Sequence, residues 1–251
     1  MIFRRRCTSL HGVKKSATPE IVPPTIIIGD VHGCLDELKQ LLAACGFHRG
    51  DPLVLVGDLV AKGPDSQGVV QLAREEGARA VLGNHDDHVL RARAVARGEA
   101  TPPPKGIRPE HQRVADTLGA ADWDYLQDLP PFLRLGPERA GGADTVVLHG
   151  GLVPGIAIEE QSRQQIITMR SIDDEGRPSK RIEGRPWAAV WPGPESIVFG
   201  HDAIRGLQEH PFAVGLDTGC VYGNRLTALI VPKRRMVSVP ARRAYCVIRR
   251  G

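Results

Sequence analysis

The stretch Ile28-Gly29-Asp30-Val31-His32-Gly33 places an aspartate and a histidine directly after a short run of aliphatic residues, Thr25 to Ile28. The run is apolar and too short for a helix, which predicts a strand that is buried on both faces. Gly29 permits a sharp turn and a close approach of the backbone where the strand ends. The sequence therefore predicts a strand whose carboxyl end carries two side chains of the kinds that bind metal ions.

Four more stretches repeat this arrangement of an apolar run, polar side chains and glycine. They are Val56-Gly57-Asp58, Leu82-Gly83-Asn84-His85-Asp86, Leu148-His149-Gly150-Gly151 and Phe199-Gly200-His201-Asp202. In an α/β sheet, ligands bind beyond the carboxyl ends of the strands, so we expect all five stretches to meet at one edge. The apolar runs predict strands at Leu53 to Val56, Ala80 to Leu82, Thr145 to Leu148, Ile197 to Phe199, Ala213 to Leu216, Thr227 to Val231 and Met236 to Val239.

Helical patterns separate the early strands. Apolar residues between Leu35 and Cys45 fall on one face at a period of 3.6, and Gly46 ends this helix. Asp65 or Ser66 caps a second helix. The alternation of strand and helix is typical of an α/β layered domain.

The pattern predicts one domain over residues 25–240, between a flexible basic tail at 1–24 and a basic C-terminal tail at 241–251. Residues 87–142 are predicted to form a helical insertion over the sheet. Residues 157–195 are polar and rich in glycine and proline, without a clear period, which predicts a long surface excursion near the site.

The composition narrows the class of protein. The 251 residues contain five cysteines, an odd number without a CxxC pair, which argues against a disulfide framework and favours a reducing compartment. We expect a cytoplasmic protein, although the arginine-rich N-terminus leaves organelle targeting open. Only 4% of residues are aromatic, so no specific nucleic-acid binding is expected, and no apolar run is long enough to span a membrane. No obligate protein partner is predicted.

The polar side chains at the strand ends predict two divalent metal ions. Carboxylate, imidazole and amide oxygen suit hard-to-borderline cations, and no cysteine lies among them. The predicted ligands of the first ion are Asp30, His32 and Asp58, and those of the second are Asp58, Asn84, His149 and His201. A carboxylate that both ions share keeps them about 3.5–4 Å apart, the spacing of two-metal hydrolases.

Such a centre predicts hydrolysis of phosphorylated small molecules or polyanions. A hydroxide that bridges the two metals attacks phosphorus in line, and the metals neutralise the charge that develops. His85 follows the ligand Asn84 and is predicted to supply a proton to the leaving oxygen. Asp86 is predicted to hold the imidazolium of His85 in orientation.

The motifs resemble those of calcineurin-like metallophosphoesterases in the phosphoprotein phosphatase superfamily. The family patterns GDxHG, GNH[DE] and HGG match residues 29–33, 83–86 and 149–151, and a later GH matches residues 200–201. The resemblance implies a two-sheet β-sandwich flanked by helices, with a dimetal site of Mn, Fe or Zn at one edge. It also implies that the six predicted residues are the metal ligands and that His85 is the proton donor.

Two segments resemble particular branches. Residues 216–223 are similar to bacterial symmetrical diadenosine-tetraphosphate hydrolases, and residues 57–66 look closest to ApaH-like phosphatases. The resemblance implies diadenosine tetraphosphate, another nucleoside polyphosphate or polyphosphate as substrate. Ala61-Lys62 replaces the Asp-Arg of the family motif, so Lys62 offers phosphate a point charge in place of a fork. Lys62 is predicted to bind substrate, and Arg170 is a second predicted substrate-binding residue. Arg170 and Arg185 both lie in the polar excursion and could contact phosphate, although both are more typical of surface residues.

Two other functions stay open at this point. A serine/threonine protein phosphatase shares the motifs but needs an open groove for a peptide. A catalytically dead scaffold that binds phosphate also shares the ligands, although it would be free to lose His85.

Overall fold

The computed structural model describes residues 23–101, 107–136 and 144–247. Most of the predicted N-terminal tail, residues 1–22, lies outside the described residues. The helices are α1 (Leu35–Cys45), α2 (Ser66–Glu75), α3 (Asn84–Ala96), α4 (Pro109–Thr117), α5 (Ala120–Gln127) and α6 (Arg163–Thr168), with short 3-10 helices at Ile158–Glu160 and Trp187–Val190. The strands are β1 (Thr25–Ile28), β2 (Leu53–Leu55), β3 (Arg79–Ala80), β4 (Phe132–Leu135), β5 (Thr145–Leu148), β6 (Ser171–Ile172), β7 (Pro178–Ser179), β8 (Arg185–Pro186), β9 (Ser196–Phe199), β10 (Gln208–His210), β11 (Ala213–Gly215), β12 (Arg225–Val231) and β13 (Arg235–Pro240).

Two five-stranded sheets face each other. In the described residues their strand orders are β13-β12-β1-β2-β3 and β10-β11-β9-β5-β4, and β7-β6-β8 form a small third sheet. Strands β1, β2 and β3 are parallel, whereas β12 pairs with β1 in the antiparallel direction. Strands β5, β9 and β11 are parallel in the second sheet. The two-sheet sandwich flanked by helices that the resemblance implies is therefore confirmed.

Strand β1 shows how the layers pack. Ile27 belongs to the apolar cluster between the sheets, together with Val147 and Val198 of the second sheet. Ile26 and Ile28 point the other way, into the cluster that covers α1 and α2. Successive side chains of a strand alternate between its faces, and both faces of β1 are buried, so the run is apolar throughout.

The predicted helix ends agree closely with the structure. Gly46 ends α1 in the left-handed conformation, with a φ of 74°. Of the two cap candidates, Asp65 is the cap, since its side chain accepts a hydrogen bond from the Gly68 amide at 2.7 Å, while Ser66 is the first helical residue.

The boundaries of the insertion and the nature of the excursion were predicted wrongly. The predicted insertion at 87–142 contains β4, which pairs with β5 as the edge of the second sheet. The predicted surface excursion at 157–195 holds α6 and the small sheet, and it buries Ile166, Met169 and Trp187 against the second sheet. Elements of two to six residues are too short to produce a recognisable period, which is why the pattern missed them.

The segment from 241 to 247, predicted as part of a basic tail, packs against α1. Its Arg242 amide and Tyr245 hydroxyl both donate to Glu37 Oε1, at 3.0 and 2.8 Å. Glu37 is fully buried, so these contacts fix the segment to the body of the protein. None of the helices in the described ranges has the length and apolar character that crossing a membrane requires.

Replacement of Ile27 tests the layer between the sheets. Because Ile27 is 0% exposed, Ile27→Ala should leave a cavity and lower the free energy of unfolding by about 2–5 kcal/mol. Ile182→Ala is the control, since Ile182 is 39% exposed and should change stability by less than about 1 kcal/mol. Urea denaturation monitored by circular dichroism measures both, and equal shifts would contradict the packing described.

Candidate metal centre

The carboxyl ends of strands from both sheets bring the six predicted ligands together. Asp30 and Asp58 follow β1 and β2, and His149 and His201 follow β5 and β9. Asn84 is the first residue of α3, directly after the short loop that leaves β3. Five of the six line one small pocket, and the sixth, His149, is fully buried and contacts Asn84 and Asp58.

Asp58 lies at the middle of this group. Its Oδ2 is 3.4 Å from His32 Nε2, and its Oδ1 is 3.4 Å from His149 Nε2. His149 Nε2 is also 3.2 Å from Asn84 Oδ1. One carboxylate oxygen therefore faces each half of the predicted ligand set, as sharing between two cations requires.

The outer contacts of the histidines fit metal binding. His32 Nδ1 and His149 Nδ1 lie 3.1 and 2.8 Å from the carbonyl oxygens of Val60 and Val56. A carbonyl only accepts, so the hydrogen of each neutral ring is at Nδ1 and the lone pair at Nε2 points into the centre. His201 is reversed, because its Nε2 meets the Thr168 carbonyl at 3.0 Å and leaves Nδ1 for the centre. Metal-ligating histidines are held in this way.

The charges of the centre also favour cations. Burial and the neighbouring Asp217 raise the pKa of Asp30 well above its usual value. Burial would raise the pKa of Asp58 as well, but His149 and other nearby histidines hold it well below the ordinary range. Burial lowers the pKa of His149, yet Asp58 and Asp30 outweigh it and bring the value to about 9. Buried carboxylates that favour a proton on histidine also favour a metal cation.

The backbone is strained at three of the predicted ligands. His32, Asp58 and His201 have φ values of 48°, 50° and 70°, in the left-handed region that side chains rarely adopt. Each such residue costs about 1–3 kcal/mol and persists only where its surroundings enforce it. A Cβ on Gly83 would overlap the backbone of Asp58, so this glycine allows the two loops to touch.

Asp86 has a different role from the one predicted. Its Oδ1 accepts hydrogen bonds from the amides of Leu59 and Val60 at 3.0 and 3.3 Å, and its Oδ2 accepts from Gly83 at 3.0 Å. These bonds tie the loop after β2 to the loop after β3. Asp86 is therefore a brace for the ligand loops and does not orient the ring of His85.

The ring of His85 is held by another histidine. His85 Nδ1 lies 2.9 Å from His111 Nε2 of α4, and the backbone amide of His85 donates to Asp58 Oδ1 at 2.8 Å. The His85 ring stands nearly perpendicular to the His32 ring, with centroids 5.0 Å apart. Burial is the main reason that the pKa of His85 lies well below its usual value.

Both predicted substrate-binding residues lie at the mouth of the centre. Lys62 Nζ is 2.8 Å from His32 Nε2 and 5.3 Å from the centroid of the Tyr222 ring. Arg170 donates to the carbonyl oxygen of His201 at 2.9 Å. Both side chains line the small pocket, whereas Arg185 is an exposed residue of β8 outside its lining. Contact of Lys62 or Arg170 with phosphate stays a prediction.

A groove of about 740 Å³ leads outward from the centre. The basic residues along its described walls are Lys62, Arg91, Arg108, Arg113, Arg170 and Lys180, against two acids, Asp87 and Glu110. Sequence reasoning missed three residues here. Asp217 and Tyr222 lie in the segment 216–223 that was noted only for its resemblance, while His111 carried no recognisable signal.

Comparisons with known proteins settle the family. The model of calcineurin-like phosphoesterases matches residues 23–229. This chain belongs to that family. It is a hydrolase that acts on bonds to phosphorus, and the family and the donor set together imply divalent metal ions.

Similar proteins cover nearly the whole chain. The asymmetrical bis(5'-nucleosyl)-tetraphosphatase of Halalkalibacterium halodurans is 31% identical, over 86% of this chain and 93% of that protein. The symmetrical bis(5'-nucleosyl)-tetraphosphatase of Edwardsiella ictaluri is 31% identical, over 88% of this chain and 97% of that protein. A solved structure provisionally assigned as a diadenosine tetraphosphatase has a TM-score of 0.77 and 39% identity, over 89% of this chain and 96% of that one.

Replacement of Asp58 tests the shared ligand. Asp58→Asn keeps one oxygen but loses the second, so about half of the bound metal or more should be lost. Asp122→Asn is the control, because Asp122 is similarly buried but lies at the start of α5 and should leave the metal content unchanged. Elemental analysis of the purified variants gives the answer, and full metal content in Asp58→Asn would exclude the bridging role.

Proposed function

We propose that this phosphoesterase hydrolyses nucleoside polyphosphates of the diadenosine tetraphosphate type. The basic groove next to the metal centre carries the proposal. Six cationic side chains against two carboxylates suit a substrate with several phosphates in a row. A single phosphorylated side chain of a peptide would engage few of them.

The groove also offers room and aromatic surface for a nucleoside. Tyr222 and Tyr245 line it, and stacking on an aromatic ring contributes about 1–3 kcal/mol per base. Its volume falls within the range of about 300–1,000 Å³ that is usual for small-molecule sites.

The proposed roles follow from position. Asp30, His32, Asp58, Asn84, His149 and His201 would hold two divalent ions, with manganese, iron and zinc as the candidate metals. When bound, such ions activate water and neutralise charge on the phosphoryl group that is transferred. His85 lines both the small pocket and the groove, where it would donate to the oxygen that leaves. Lys62 and Arg170 would hold the phosphates beside the centre.

The names of the two relatives differ in where the tetraphosphate is cut, and the position of the cut is open for this chain. Cleavage at the middle of diadenosine tetraphosphate gives two molecules of ADP, whereas cleavage off the middle gives ATP and AMP. Chromatography of the products therefore separates the symmetrical from the asymmetrical reaction.

The alternatives have less support. Arg91 of α3, Arg108 just before α4 and His111 of α4 line the groove, which favours a narrow chain over a folded peptide segment. A dead scaffold would not need His85 beside a complete ligand set. The cytoplasmic location and the absence of an obligate protein partner stay predictions.

A substrate panel tests the proposal. The protein, loaded in turn with manganese, iron or zinc, is assayed on diadenosine tetraphosphate, polyphosphate, capped RNA and a phosphopeptide. Diadenosine tetraphosphate should be hydrolysed with the highest kcat/KM. Preference for the phosphopeptide would replace the proposal by a protein phosphatase, and inactivity with metal bound would support the scaffold.

Lys62→Ala tests the phosphate contact. The loss of a charge-assisted hydrogen bond of about 1.5–3 kcal/mol should raise the KM for diadenosine tetraphosphate by about tenfold or more. Lys39→Ala, on the exposed face of α1, is the matched control for charge and should leave KM unchanged. The same KM in Lys62→Ala and the native protein would remove the contact.

His85→Asn tests the donor. Removal of a donor that is aimed at the transition state costs about 10²–10³ in kcat, while the metal content should stay the same. Metal analysis beside the kinetic assay is essential here. Metal lost from His85→Asn would make His85 a ligand instead.

A further inference from the structure

Three histidines form a cluster beside the centre. His85 and His88 come from α3 and His111 comes from α4. The His111 centroid lies 5.1 Å from that of His85 and 4.9 Å from that of His88. Such a cluster can bind a further metal ion, or its members can determine one another's tautomers through hydrogen bonds. The hydrogen bonds in the structure distinguish these two possibilities.

The backbone amide of Arg108 determines which ring nitrogen of His111 carries the hydrogen. This amide donates to His111 Nδ1 at 2.9 Å, so Nδ1 must carry a lone pair. An imidazolium carries a hydrogen on both nitrogens, so the lone pair on Nδ1 shows that the buried His111 ring is neutral. The hydrogen of the neutral ring is therefore on Nε2, and this nitrogen has no lone pair for a metal ion.

The hydrogen on His111 Nε2 also determines which ring nitrogen of His85 is protonated. His111 Nε2–H lies 2.9 Å from His85 Nδ1, which must accept, so His85 carries its own hydrogen on Nε2. With Nδ1 engaged by His111, Nε2 is the nitrogen left to face the metal pocket that His85 lines. Both oxygens of Asp86, the nearest carboxylate in sequence, are already engaged by backbone amides.

We propose that His111 holds His85 as a neutral Nε2–H donor, and that this makes the site selective for phosphoanhydrides over alkyl phosphoesters. The inference rests on the proposed function, and the bond that it concerns is the phosphoanhydride P–O bond of the nucleoside polyphosphate. His111 is a positioning residue, since it acts through His85.

The selectivity follows from the leaving groups. A phosphate loses its second proton at about pH 6, so it leaves an anhydride as a stable anion that needs only a hydrogen bond. An alkoxide is far more basic and needs a full proton, which a neutral imidazole does not give up. In the anhydride reaction the electrons of the broken P–O bond stay on the departing phosphate. Water supplies the oxygen added to phosphorus, and its proton passes to solvent.

An isosteric pair of variants tests the proposal. The glutamine amide of His111→Gln can still donate to His85 Nδ1. The carboxylate of His111→Glu can only accept, so it places a hydrogen on Nδ1 and favours the imidazolium, a full acid. The readout is the ratio of kcat/KM for diadenosine tetraphosphate to that for glycerol 3-phosphate, with Gln112→Ala on the same helix as the control.

The expected result is a ratio close to native in His111→Gln and Gln112→Ala. In His111→Glu the ratio should fall by about tenfold or more in favour of the ester, because general acid catalysis supplies about 10²–10⁴. Equal ratios in His111→Gln and His111→Glu would overturn the proposal. If the native protein hydrolysed neither compound, the proposed function itself would be contradicted. The experiment therefore distinguishes a failure of the proposed function from a failure of the role given to His111.

Nitrogen-15 NMR of imidazole-labelled, zinc-loaded native protein gives a second test that needs neither a variant nor activity. His85 should show a protonated Nε2 and an unprotonated Nδ1. A hydrogen on His85 Nδ1, or a third equivalent of zinc that is lost in His111→Gln, would overturn the assignment.

Discussion

The rest of the site depends on the carboxylate of Asp58 and on the contacts that its two oxygens make. One of its oxygens faces His32 and the other faces His149, so the two halves of the centre meet at this side chain. Its backbone is left-handed, with a φ of 50°, and Gly83 leaves room for it. The amide of His85 donates to the same carboxylate, which places the candidate donor beside the ligands.

Strain at the ligands must be offset elsewhere, and the two sheets provide the rigid support. The loops that carry Asp58 and Asn84 leave neighbouring parallel strands, and Asp86 joins them through three backbone amides. Three hydrogen bonds from backbone amides to one buried side chain hold the two loops firmly together. The site is thus precise because a side chain predicted to act in the reaction instead fixes the ligand loops.

Outside the centre, charge and hydrogen bonding act on different parts of a substrate. In the proposed reaction the basic groove would hold the phosphate chain, whereas the hydrogen-bonded pair His85 and His111 would act at the bond that breaks. The chain has Ala61-Lys62 where the family motif has Asp-Arg, and its proposed donor His85 is hydrogen-bonded to His111. These two features point in the same direction, towards substrates whose leaving group is a phosphate.

The sequence by itself determined the family and the strands that carry the candidate ligands, because the motifs lie at glycine turns where strands end. The six ligand positions are predicted from the same turns, and the structure brings these six side chains together. The sequence did not determine the partner of His85. His111 is 26 residues away on another helix, and only the packing of α4 on α3 brings them together. The fold of residues 157–195 and the attachment of residues 241–247 likewise depend on long-range burial. Local patterns encode turns and periods, whereas contacts between distant elements are decided by how the layers pack.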